Sequence, residues 1–141
     1  MSDPYNLARF VSAQDADGTY ARATAELRAG QKASHWMWFV FPQIAGLGSS
    51  PQSRKYSISS LEEAIAYLQH PVLGPRLTEC AEIVEATEAR DATEILGSID
   101  AQKLHSSMTL FMRAAPGPSV FERLLDRYFS GIPDTATDER L

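Results

Sequence analysis

The run Ser34-His35-Trp36-Met37-Trp38-Phe39-Val40-Phe41-Pro42-Gln43 holds both tryptophans of the chain and places apolar residues on every side. A segment with no polar face must be enclosed, so the remaining chain has to be built around it. Aromatic and β-branched residues suit a pleat. No second strand-like segment stands out to pair with it, and a lone strand leaves its ladder groups unmet. The run therefore reads as a short buried helix that Pro42 halts.

Elsewhere the apolar residues fall at helical spacing. Asp3-Pro4 reads as the opening of a first helix with Leu7, Phe10 and Val11 on its stripe. A second helix runs from about Thr19 to Ala29, with Tyr20, Ala23 and Leu27 on one face and Gly30 at its end. Gly46-Leu47-Gly48-Ser49-Ser50-Pro51 reads as a loop of about ten residues. Ser59 and Ser60 with Glu62 and Glu63 form a capping box ahead of Leu61, Ala64, Ile65 and Leu68. Leu73, Leu77, Cys80 and Val84 make the next stripe, and Asp91 with Glu94 caps a short turn to Gly97. Asp100 reads as the cap of a helix carrying Leu104, Met108 and Phe111, which Pro116-Gly117-Pro118 ends. The last long helix holds Phe121, Leu124, Leu125 and Tyr128, and residues 133–141 read as a short acidic tail. The expected fold is all-α, a compact single-domain bundle of about seven short helices over residues 1–141. Its core should contain Leu77, Cys80, Val84, Leu104, Met108, Phe111, Leu124 and Tyr128.

Composition narrows the function classes. With 44% hydrophobic and 22% charged residues the chain is of folded, not disordered, type. A net charge of −5 argues against nucleic acid as a partner. No apolar run is long enough for a membrane span, and MSDPYNLARF lacks the basic start and apolar stretch of a secretory signal, so a cytoplasmic location is expected. One cysteine allows no internal disulfide, and on its stripe Cys80 reads as a small core hydrophobe. His35, His70 and His105 lack metal-ligand spacing, so no metal is expected. The loop glycines of 46–50 read as a plain connection, with a backbone cradle for a phosphate or carboxylate as the alternative. They lack the Gly-Lys-Ser/Thr ending of a P-loop and the third glycine of a dinucleotide fingerprint, and no cofactor is expected.

What stands out is a grouping. Lys32, His35, Trp36, Trp38, Gln43, Ser49 and Ser50 lie within nineteen residues and mix aromatic faces with polar ends, as small-molecule pockets do. Asp100, Lys103 and Ser106 offer a second such set, and the two are expected to face each other across one cleft. In the pocket reading, Lys32, His35 and Lys103 hold a small anionic or nucleotide-like ligand against Trp36 or Trp38. A catalytic version gives His35 an acid/base role, with Asp100 orienting it or Lys103. The alternative is a non-catalytic interaction module, monomeric or homodimeric, in which Trp38, Phe39 and Phe41 form an exposed apolar patch within segment 36–41. Ser106 and Ser107 also have a purely structural reading, bonding a carbonyl one turn back or permitting close helix packing.

The run from His35 to Gln43, followed by Gly46-Leu47-Gly48-Ser49-Ser50, resembles the hallmark of the family catalogued as domain of unknown function 1810. The resemblance continues through Ser60-Leu61-Glu62-Glu63-Ala64, Tyr67-Leu68, Leu73-Gly74-Pro75-Arg76-Leu77, Asp100, Lys103-Leu104 and Ser106-Ser107-Met108-Thr109-Leu110-Phe111. It implies a compact, mainly α-helical, single-domain bacterial protein and carries no activity with it. It also implies that His35, Gln43, Ser49, Asp100, Lys103 and Ser106 recur together.

Overall fold

The computed structural model describes residues 3–141. Its α-helices are α1 (Ala8–Asp15), α2 (Thr19–Arg28), α3 (Met37–Val40), α4 (Pro51–Lys55), α5 (Leu61–Gln69), α6 (Leu73–Ala86), α7 (Ala92–Leu96), α8 (Ser98–Ala114), α9 (Val120–Tyr128) and α10 (Thr135–Asp138). A single 3-10 turn, Ala16–Gly18, joins α1 to α2. No strand occurs among the described residues; one parallel bridge pairs Ile44 with Ile58. The all-α expectation holds, with six helices of eight residues or more and four of four or five residues.

α8 is the centre of the bundle, packed by α5, α7, α9 and α10, while α6 packs against α2, α5 and α9. The stripes explain the packing. Leu73, Leu77, Cys80 and Val84 of α6 are each at most 1% exposed, as are Leu104, Met108 and Phe111 of α8. Burial pushes the Cys80 thiol up to about 12, which leaves almost no thiolate at neutral pH. Tyr128 departs from expectation: it is half-buried, with its hydroxyl donating to the Val84 carbonyl at 3.2 Å.

Gly74 shows why the second turn-in of the chain needs glycine. A Cβ at that position would stand 2.1 Å from the Leu68 carbonyl oxygen, inside any tolerable contact. Absence of a side chain lets the start of α6 cross tightly over the end of α5. His70 serves the same corner, its Nδ1 accepting from the Val72 and Leu73 amides at 3.1 and 3.2 Å.

Three local expectations are corrected. Asp3 does cap, accepting from the Leu7 and Ala8 amides at 2.8 and 3.1 Å, but Pro4 lies outside the helix, because Asn6 takes a left-handed φ of 52° first. Asp100 is not a cap: Gly97 precedes α8 and Asp100 sits in its first turn. The acidic tail is a docked element. Asp134 caps α10 and is buried, accepting from the Ser106 hydroxyl at 3.0 Å and the Thr137 hydroxyl at 2.6 Å. Burial alone would raise the Asp134 carboxyl, but bonds from Thr137 and Ser106 hold it below the usual carboxylate range.

Candidate functional site

The aromatic run is enclosed, though not evenly. Trp36 and Phe41 are fully buried, Phe39 is 8% exposed, and Trp38 alone of the four is half-buried. The expected exposed patch of Trp38, Phe39 and Phe41 therefore does not form, because α3 turns Phe39 and Phe41 into the core. Phe39 meets Tyr56 at 5.2 Å between ring centroids, and Phe41 meets Trp36 at 6.4 Å.

Two lysines arrive on this segment from different directions. Lys32 follows α2, and its amide donates to the Ile95 carbonyl at 2.8 Å, which ties it to α7. Lys103 is on α8, three residues after Asp100 and three before Ser106, so these side chains share one helix face. Asp100 bridges both cations, its oxygens 2.8 Å from Lys32 Nζ and 3.4 Å from Lys103 Nζ. Each ammonium also sits over an indole: Lys32 is 5.2 Å from the Trp36 ring and Lys103 is 5.1 Å from the Trp38 ring. Such contacts contribute about 0.5–1 kcal/mol each where water has access.

Three depressions meet around Trp38 and Lys103. The smallest, about 100 Å³, is lined by Lys32, His35, Trp36, Met37, Trp38, Asp100 and Lys103. A larger one of about 400 Å³ continues from Lys103 past Gln102, Ser106, Asp134 and Ile99 to Gln43, Gly48 and Ser53. The third, about 200 Å³, shares Gln43, Gly48 and Ser53 with it, and adds Trp38 and Arg54. Shared lining residues place the three side by side as one grooved region of the surface. Eight of the ten candidates from the sequence line it: Lys32, His35, Trp36, Trp38, Gln43, Asp100, Lys103 and Ser106.

Ser49 and Ser50 do not line it. Ser50 caps α4 instead, accepting from the Ser53 amide at 3.1 Å. The loop glycines likewise make no open anion cradle. The space a Cβ would take at Gly46 holds the Arg140 guanidinium at 2.9 Å, and at Gly48 it holds the Ser53 hydroxyl at 2.5 Å. His105 stands apart as well, stacked on Phe129 at 4.3 Å and donating from Nε2 to the Ile132 carbonyl at 2.7 Å.

The sequence reading missed two groups. Arg54 lines the groove beside Trp38 and makes no ion pair among the described residues. Glu26 lies behind the aromatic run, accepting from the Trp36 indole N–H at 2.9 Å, the Ala33 and Ser34 amides at 2.8 and 3.0 Å, and the Ser34 hydroxyl at 2.6 Å. Partial burial would raise its carboxyl, yet the bonds from Ser34, Ala33 and Trp36 prevail and bring it down to about 2. No local pattern marks either residue, because each acquires its role through a partner beyond its own helical turn.

A wider and more apolar groove of about 620 Å³ lies between α1 and α5, lined by Tyr5, Leu7, Val11, Ala66 and Pro71 among others. Asp3 and His70 in its lining already accept from backbone amides, and no Lys or Arg lines it. No group of three or more His, Cys, Asp or Glu suited to a metal ion occurs among the described residues, and no helix there is long and apolar enough to cross a membrane.

Comparison with known proteins gives a family of unknown function. The family model described as "Protein of unknown function (DUF1810)" matches residues 4–141. The crystal structure of a conserved hypothetical protein from Mycobacterium tuberculosis, Rv1873, is 53% identical in sequence and superposes with a TM-score of 0.94, covering 99% of this chain and 98% of that one. No curated protein matches the chain.

Proposed function

We propose that this chain, which belongs to the family of proteins of unknown function catalogued as DUF1810, binds a small anionic ligand in the groove around Trp38 and Lys103. One observation carries the reading. Two lysines share a single carboxylate, and each ammonium rests on an indole at the wall of the same groove. Lys32, Lys103 and Asp100 together leave one positive charge, in a chain whose net charge is −5. A local cation in a negative field is what draws an anion to one place on such a surface. Trp38 supplies a flat apolar wall for a ring, and Gln43, Gln102 and the Ser106 hydroxyl supply neutral hydrogen-bonding groups along the groove.

The test is thermal melting against nucleotides, sugar phosphates, dicarboxylates and aromatic carboxylates. A ligand that binds only the folded form, at roughly 100 times its Kd, should raise the melting temperature by about 5–10 °C. Lys103→Ala should abolish that rise while leaving the fold intact, since Lys103 is partly exposed and its contact with Asp100 is the longer of the two. A panel in which no anion shifts the wild type, or a shift that survives in Lys103→Ala, would overturn the reading.

A further inference from the structure

We infer that the groove selects a ligand group carrying one negative charge, a carboxylate or a phosphodiester, over a phosphate monoester, and that Asp100 sets this selectivity; the inference rests on the anion-binding reading above. Lys103 lines two adjoining depressions, and each also has a carboxylate in its lining, Asp100 in the smaller and Asp134 in the larger. Of the two lysines on Asp100, Lys32 is the deeper, with its side chain 9% exposed and its contact short at 2.8 Å. Lys103 is 22% exposed and its contact is longer, at 3.4 Å. An arriving anion therefore recruits Lys103, while Lys32 keeps Asp100 in place.

The charge balance then decides which anion is accepted. With Asp100 fixed, the cluster has one positive charge to offer, and a monoanion neutralises it. A dianion leaves a negative charge uncompensated beside the Asp100 carboxylate, in a partly buried site where water screens repulsion poorly. The remaining charged groups do not supply the difference. Glu26 adds a further negative charge next to Trp36, and His35 lies exposed at the edge. Arg54 lines the depression beside Trp38 and Gln43, whereas Asp100 lines the smallest of the three.

Three probes with the same ring test this: 2-naphthoate, 2-naphthyl phosphate and the methyl ester of 2-naphthyl phosphate. Each is titrated by calorimetry at about pH 8, where the phosphate monoester carries two charges and its methyl ester one. Wild type should bind the naphthoate and the methyl ester about tenfold more tightly than the monoester. Asp100→Asn should strengthen binding of the monoester about tenfold and erase the preference, while Lys103→Ala should weaken all three. Equal affinity of wild type for the monoester and its methyl ester overturns the selectivity, a comparison that stands even where Asp100→Asn fails to fold. A folded Asp100→Asn that keeps the wild-type ratio also overturns it. Wild type that binds none of the probes, or Lys103→Ala that binds them unchanged, overturns the anion-binding reading itself.

Discussion

Glu63→Ala is expected to destabilise the fold by about 3–5 kcal/mol, the cost of leaving a buried charge without its partner. Glu63 is only 2% exposed, and its Oε2 lies 3.0 Å from Arg9 Nη2. Its other oxygen accepts from the Ser59 amide at 2.9 Å and the Ser59 hydroxyl at 2.7 Å. Arg9 in turn donates to the carbonyls of Tyr5, Asn6, Lys55 and Ser57. The pair thus fastens α1 to the segment between α4 and α5. That segment holds Ile58, whose amide donates to the Gln43 carbonyl and whose carbonyl accepts from the Ala45 amide, both at 2.8 Å. Loss of Glu63 should therefore loosen the Gln43 wall of the groove as well as the core. Urea denaturation measures the first effect, and amide exchange at Ala45 and Ile58 measures the second. The double variant Arg9→Met with Glu63→Leu should recover part of that loss, because the buried charge is gone while the Ser59 amide and hydroxyl and the carbonyls that Arg9 served lose their partners. A Glu63→Ala loss below about 1 kcal/mol would show that solvent reaches the pair.

That pair marks the limit of what the sequence discloses. The capping box at Ser60 and Glu63 is a local pattern, and the expected bond from the Glu63 amide to the Ser60 hydroxyl is present at 3.2 Å. Nothing near Glu63 names Arg9, fifty-four positions away, because the contact exists only once α1 has docked. The same distinction separates the helices. α2, α5, α6, α8 and α9 declare themselves by apolar residues at helical spacing, since their stability comes from burying one face. α4 carries no buried residue, so Pro51-Gln52-Ser53-Arg54-Lys55 reads as loop until the Ser50 cap is seen. α10 is fixed by the polar contacts of Asp134 and by the Arg113 to Asp138 ion pair at 3.0 Å, which an acidic tail composition hides. In the groove, residue chemistry singled out the two lysines, the tryptophans and Asp100. Their arrangement around one carboxylate depends on α7 and α8 folding back against residues 32–38, a long-range event with no signature in spacing.

Trp36→Ala is expected to cost about 3–5 kcal/mol, in the range for deleting a large buried aromatic side chain. Trp36 is fully enclosed, beside Phe41 and below the Lys32 ammonium, so little can collapse into the space it leaves. Trp36→Phe separates the two parts of that cost. It retains most of the apolar volume and removes only the indole N–H that donates to Glu26, a bond to a charged acceptor with a contribution of about 1.5–3 kcal/mol. Denaturant titration should place Trp36→Phe between wild type and Trp36→Ala. Acid titration offers an independent reading of the same contact. The Glu26 carboxyl is held at about 2 against an ordinary 4.5, so its contribution is complete above about 4.5 and disappears as pH falls toward about 2. Wild type should therefore lose stability steadily across that window. Glu26→Gln should start less stable at neutral pH and show a shallower loss over the same interval, because the side chain that titrates is gone. Trp36→Phe should narrow the window from its acid end, since removing one of the bonds that depress the Glu26 carboxyl raises its folded value while the upper limit, set by the unfolded chain, stays. An acid profile identical in wild type and Glu26→Gln would mean that Glu26 does not hold the aromatic segment, and that burial of Trp36 alone fixes the wall on which Lys32 and Asp100 stand.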